Sequence, residues 1–273
     1  NKIWADVYSH FSRVDSTREN AHWELQQTGV VFGFGRDTSE RARLGLFGGF
    51  NRSWVNMPAR RSESTGDGFQ LGAYGRYRGT MGSLTGIVAY AQGRHDVERN
   101  IRIRDYRTTA KGRVEERALA VAVEGRLHYT ISGFQVEPLL GLTWMDLNQA
   151  SLRESSGDVA RLRISEASAN VFRGTLGVRV GTHPAGTGVW PEFLLAWIND
   201  FHDLPREVEA EFLAVPGYPF TVQGTKVGRS AILAGVSIEG VRANGMTWQL
   251  GYRGEFRDNR SVHTGMLSFH FPL

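Results

Sequence analysis

From Met246 to Phe256 every second side chain is apolar, aromatic or absent. Met246, Trp248, Leu250, Tyr252, Gly254 and Phe256 share one phase; Thr247, Gln249, Gly251, Arg253 and Glu255 share the other. Successive side chains of a strand point to opposite faces, so this period of two predicts a strand with one greasy and one polar side. The last segment repeats the pattern, with Gly265, Leu267, Phe269 and Phe271 opposed to Thr264, Met266, Ser268 and His270. Alternation of this kind recurs along the whole chain and predicts twelve strands. They run over Lys2–Arg13, Trp23–Gly35, Ala42–Asn56, Gly68–Tyr77, Ser83–Glu98 and Val114–Tyr129. The second half continues with Phe134–Leu147, Asn170–Gly181, Val189–His202, Ser230–Glu239, Met246–Phe256 and Val262–Phe271. In the first strand Trp4 and Tyr8 oppose Val7 and Phe11, so both phases are apolar and its facing stays open.

The links between these segments carry a second regularity. After the second strand, every other link is short: Arg36–Arg41, Arg78–Gly82, Thr130–Gly133, Thr182–Gly188 and Gly240–Gly245. The intervening links Met57–Asp67, Arg99–Arg113, Asn148–Ala169 and Asp203–Arg229 are long and polar. That alternation puts tight turns at one end of a sheet and long loops at the other, as in outer-membrane barrels with short periplasmic turns. An even number of strands returns both chain ends to the short-turn side.

A sheet with one apolar face needs a second layer or a lipid environment. No amphipathic helix is available to cover it, and the polar phase carries charges: Glu124, Arg126, Glu137, Arg173, Arg179, Glu192, Arg253 and Glu255. The expected fold is therefore an all-β, twelve-stranded antiparallel transmembrane barrel of the bacterial outer membrane. Those eight residues would line a wet lumen, and the apolar phase would meet lipid or lipopolysaccharide. Trp144, Trp197, Trp248 and Tyr252, with Trp4, Tyr77, Tyr90 and Tyr129, are candidates for the interfacial aromatic girdles.

Composition agrees with this picture. No run approaches the ~18 apolar residues of a spanning helix, but a barrel shows lipid only every second residue. With 33 glycines and 8 prolines, the chain suits strongly curved sheet rather than loop-rich folds. The net charge of +4 comes from scattered basic residues mixed with 28 acids, without the basic run of a nucleic-acid reader. Cysteine is absent.

In detail, the chain resembles the C-terminal translocator domain of type V autotransporters over essentially its whole length. The resemblance rests on Trp4 before a short strand, Leu44-Gly45-Leu46, Leu71-Gly72-Ala73-Tyr74-Gly75 and Glu137-Pro138. It continues through Leu176-Gly177-Val178, the Pro191…Trp197 strand and the alternating aromatic end. It implies one domain, residues 1–273, that anchors an N-terminal passenger and helps export it to the cell surface. It also implies a pore helix upstream and a terminal strand, with Leu267, Phe269 and Phe271, read by the barrel-assembly machinery. Such domains usually close on the aromatic itself, whereas Pro272 and Leu273 follow Phe271 here. A start at Asn1, almost on strand one, is expected of a processed or truncated piece of a longer precursor.

Candidate chemistry is sparse. The eight histidines, His128 and His270 among them, lack metal-site spacing, so neither zinc nor iron nor another cofactor is expected. No nucleophile elbow, phosphate loop or dinucleotide fingerprint occurs. Asp200, His202 and Asp203 stand where strand nine enters a long loop, the place for an acid–histidine pair of an outer-membrane hydrolase. Some autotransporter barrels cut their own linker at an asparagine, and Asn1 with Glu124, Glu137, Glu192 and Glu255 is compatible with that. A passenger-free porin-like channel shares the same solvent logic. The expected activity is nonetheless physical rather than enzymatic.

Overall fold

Hydrogen bonding along the backbone joins each of twelve long strands to two neighbours, all antiparallel, and leaves no edge in the main sheet. In the computed structural model, which describes residues 2–17, 20–156, 158–182, 188–201 and 207–272, the strands are as follows. They are β1 (Lys2–Val14), β2 (Trp23–Asp37), β3 (Ala42–Met57), β4 (Ser62–Arg78), β5 (Gly82–Ile103) and β6 (Tyr106–Leu127). The circuit continues with β7 (Phe134–Gln149), β8 (Ala167–Thr182), β9 (Gly188–Asp200), β10 (Ser230–Val241), β11 (Thr247–Arg257) and β12 (Arg260–Pro272). Pairing of Lys2 with Pro272 through Val14 with Arg260 closes β1 onto β12. A closed sheet satisfies every backbone group internally, the condition for crossing hydrocarbon with strands.

Register settles which way every side chain points. Opposite Cα partners share a face, so Trp4, Gly33, Phe47, Gly72, Ala89 and Ala120 belong to one inner row. Outward lie Leu46 and Phe50 (both 67% exposed), Leu140, Phe193, Leu195 and Ile232. Between Arg13, Glu24, Arg52, Asp67, Arg94, Arg117 and Asp146 at one end and the short turns at the other, the outer positions carry no charge. Such a belt of exposed apolar side chains is costly in water and matches the lipid-facing band of a barrel. The facing of strand one is also resolved. Val7 and Phe11 point out, and Trp4 and Tyr8 point in, because their partners Gly33 and Gly29 face the bore. Trp4 therefore leaves the set of girdle candidates. Its indole lies over Gly33 and donates to the Tyr74 hydroxyl at 3.0 Å.

Two expected loops are strand instead. β3 and β4 run on to a turn at residues 58–61, and β5 and β6 pair without a break to Ile103 opposite Tyr106. Arg104, at φ 54°, takes the left-handed turn between them. Beyond the belt these hairpins have water on both sides, so both faces turn polar and the apolar alternation disappears. The remaining long links build a small sheet of their own in the order Phe220–Gln223, Glu207–Phe212, Leu162–Ile164, Leu152–Arg153. A buried carboxylate fixes it to the barrel: Arg99 donates to both oxygens of Glu154 at 3.0 and 2.7 Å, and Leu162 N donates to it at 2.7 Å. Helical structure among the described residues amounts to single turns at Pro58–Arg60 and Asp158–Ala160.

Candidate functional site

Charged and aromatic side chains gather on the inner face of the barrel. On the inner face of β1–β4, rings lie flat over glycines of the neighbouring strand. Trp4 covers Gly33, Tyr8 covers Gly29, Tyr74 covers Gly45 and Phe47 covers Gly72. A Cβ at any of the four positions would meet the ring, so glycine is required there for close approach. The adjoining rows of β5 and β6 are small: Ala89 and Ala91 beside Ala118, Ala120 and Ala122.

The opposite wall, from the turn-side end of β6 round to β11, is charged. All eight predicted lumen residues fall on the inner face, and the structure gathers them into two clusters. Towards the long-loop end, Arg173 donates to both oxygens of Asp200 at 2.6 and 3.0 Å. Arg257 donates to Asp200 at 2.6 Å and to Glu255. Arg173 also stands 3.6 Å from Glu255. Asp200 is 6% exposed, and the Arg257 side chain only 1%. Charges this enclosed persist only when paired and hydrogen-bonded. Asp200 is thus held between two guanidinium groups rather than free at a rim, while His202 and Asp203 lie outside the described residues.

The second cluster lies towards the short turns. Arg126 donates to Glu124 at 2.6 Å, Arg179 donates to Glu192 at 2.8 Å, and His128 Nδ1 lies 2.6 Å from Glu137. Around them opens a cavity of about 660 Å³. Its walls hold five arginines (Arg76, Arg78, Arg126, Arg179, Arg253) but three glutamates (Glu137, Glu192, Glu239). Arg76 and Arg78 are easily missed in the sequence because they close β4 beside a turn, although they keep the phase of Gly72 and Tyr74. A few apolar side chains also face inward, with Leu139, Leu194 and Ala196 packed together beside Leu233. His270 is inward as well, against Trp4.

Outside, Trp144 and Trp197 end their strands' apolar runs on the long-loop side, and Trp248 stands by the opposite turn. Tyr252 lies nearer the middle of β11 and reaches His263, its hydroxyl 2.6 Å from Nδ1. Tyr77 and Tyr129 are exposed on the turn side, and Tyr90 rests against Phe69. Leu267, Phe269 and Phe271 all face outward on β12, paired with β1 and β11. Above the belt, Arg52 donates to Asp67 at 2.7 and 3.0 Å, and those hydrogen bonds hold its carboxyl below the usual carboxylate range. At the turn side Arg43 does the same for Asp37. Among the described residues, no group of three or more acids and histidines could hold a metal ion.

The family model described as "Autotransporter beta-domain" matches residues 3–253. The chain belongs to the autotransporter β-domain family. Its structure is similar to the translocator domain of NalP from Neisseria meningitidis, with a TM-score of 0.81 at 14% identity over 100% of this chain and 88% of that one. The β domain of Bordetella BrkA gives 0.71 at 18% identity, over 100% and 99%. The transport unit of AIDA-I from Escherichia coli gives 0.68 at 14% identity, over 99% and 90%. No curated protein sequence matches the chain significantly. This autotransporter domain is an integral outer-membrane barrel that serves passenger export.

Proposed function

We propose that the domain acts on its passenger by physical means alone: the belt seats in the membrane and the charged wall keeps the bore hydrated around the linker. The observation that carries this reading is the contrast between a charge-free outer belt and an inner face that carries paired charges at the same heights. Glu124, Arg126, Glu137, Arg173, Arg179, Glu192, Arg253 and Glu255 are the contact surface for a helical linker upstream of residue 1. Trp144, Trp197 and Trp248 hold the barrel's height against lipid and lipopolysaccharide headgroups, whereas Tyr252, expected among them, sits within the belt against His263. Leu267, Phe269 and Phe271 present the outward apolar row that barrel-assembly machinery reads. Bond-breaking chemistry is not part of the reading. Asp200 is bound by Arg173 and Arg257, and Glu124, Glu137, Glu192 and Glu255 each have a basic partner.

The test joins an epitope through a helical linker upstream of residue 1 and expresses the chain in a Gram-negative host. Surface protease should remove the epitope while the barrel stays folded, as judged by heat-modifiable electrophoretic mobility. Replacing Phe269 and Phe271 by alanine should lower the amount of folded barrel. An epitope trapped in the periplasm beneath a folded barrel would sink the export mechanism.

A further inference from the structure

Among the described residues, three arginines of the turn-side cavity have no carboxylate partner. Arg126 is taken by Glu124 and Arg179 by Glu192, while Glu137 is taken by His128. Arg76, Arg78 and Arg253 have no carboxylate within ion-pair distance among the described residues. The Nε of Arg76 is moreover buried without any hydrogen-bond partner, as is the Nε of Arg179. An enclosed guanidinium donor left unmatched is costly, and both of these donors belong to arginines that line this cavity.

The three come from β4 and β11 and line the same open-mouthed cavity of about 660 Å³, too large for a single ion. Lipid phosphates are outside this wall. Guanidinium pairs of this kind match carboxylates, which accept two parallel hydrogen bonds. The position of the chain's own start narrows the choice further. Lys2 shares the inner row of Gly35, Gly45 and Tyr74, and Arg43, the next inward residue of β3 and the Cα partner of Arg76, is already bound by Asp37. The turn-side end of β1 therefore stands on the same wall as Arg76 and Arg78.

We propose that the turn-side mouth of the bore is a carboxylate-binding site made by Arg76, Arg78 and Arg253. Its ligand is one or more acidic side chains of the segment that leads into β1. This rests on the reading that an upstream linker occupies the bore, and it assigns that linker a sign of charge at one level. An acidic residue there would fix the linker's depth, because sliding by one turn of helix, about 5.4 Å, would pull it from the arginines.

The probe is a hexaglutamate peptide titrated calorimetrically into the full chain refolded in detergent, with hexalysine and inorganic phosphate alongside. Hexaglutamate should bind with an affinity that falls as salt rises, and hexalysine should give no heat. The triple variant R76Q/R78Q/R253Q should bind at least tenfold more weakly while keeping heat-modifiable mobility. If that variant does not fold, Arg78→Gln alone, at the exposed rim, should still weaken binding. Absence of hexaglutamate binding, equal binding of hexalysine, or phosphate binding as tightly as the peptide (an adventitious ion only) would overturn the proposal. Surface display of the upstream epitope without hexaglutamate binding removes the site and leaves the export role. Binding without display does the reverse.

Discussion

Between β1 and β4 the bore is walled by aromatic rings lying on glycines, whereas between β7 and β11 it is walled by guanidinium–carboxylate pairs. Both walls belong to one sheet whose apolar side is already given to lipid, so neither can be stabilised by an ordinary oily core. The first wall uses close van der Waals approach, which salt and pH leave alone. The second uses charge, which stays open to water and can be matched by a ligand. Bulk fills one side and electric field the other, so a polypeptide in the bore meets a smooth surface on one flank and a selective one on the other.

The largest test of this contrast is Asp200→Ala. It removes the acceptor shared by Arg173 and Arg257 and leaves two enclosed guanidinium groups, a loss of about 3–5 kcal/mol. Urea unfolding in lipid vesicles measures it, and a midpoint equal to the parent's would show that the cluster is decorative. A smaller effect is expected on the aromatic wall. Gly33→Val forces Trp4 off its seat and should cost about 1–3 kcal/mol. Adding Trp4→Ala to that variant should restore part of the loss, since the two changes share one contact. Strict additivity of the pair would separate ring from glycine and break the account of that wall.

The smallest effect lies outside both walls, at Asp67. Arg52 depresses its folded-state pKa, so the pair's contribution is present above the ordinary carboxylate value and disappears as pH falls through the depressed one. Asp67→Asn should therefore lower stability slightly at neutral pH and leave it unchanged once the pH has fallen below the depressed pKa, where both states are protonated. The carboxyl is fully exposed, which keeps the expected shift near the resolution of the measurement. An equal deficit at both pH values would refute the ion-pair explanation.

Much of the molecule was legible because lipid enforces a period of two. The facing of β6, β7, β8 and β11 follows from residues such as Leu119, Val121, Leu140 and Leu250 against Glu124, Glu137, Arg179 and Arg253. The rule fails where its cause is missing. In β1 the inner face carries Trp4 and Tyr8 because neighbouring glycines make room, so both phases look apolar. Past Gln92 and Arg117 water bathes both faces, and residues 99–113 read as a loop although they are paired strand. Partners across strands were equally invisible: Asp200 meets Arg257 over 57 positions of sequence, a distance no local motif records. Arg76 and Arg78 did carry a signal, the inward phase of β4, but only register shows them facing Arg253 across one cavity.

The β5–β6 hairpin carries a consequence for anything that leaves the barrel. From Gln92 to Ile103 it continues beyond the belt for roughly 40 Å of strand at about 3.3 Å per residue, and Arg99 with Glu154 braces it against the neighbouring link. That is about as many residues as a tilted strand needs to cross the hydrocarbon, about 9–11. Any polypeptide leaving the bore on that side passes beside a stiff, braced wall before it reaches open solvent.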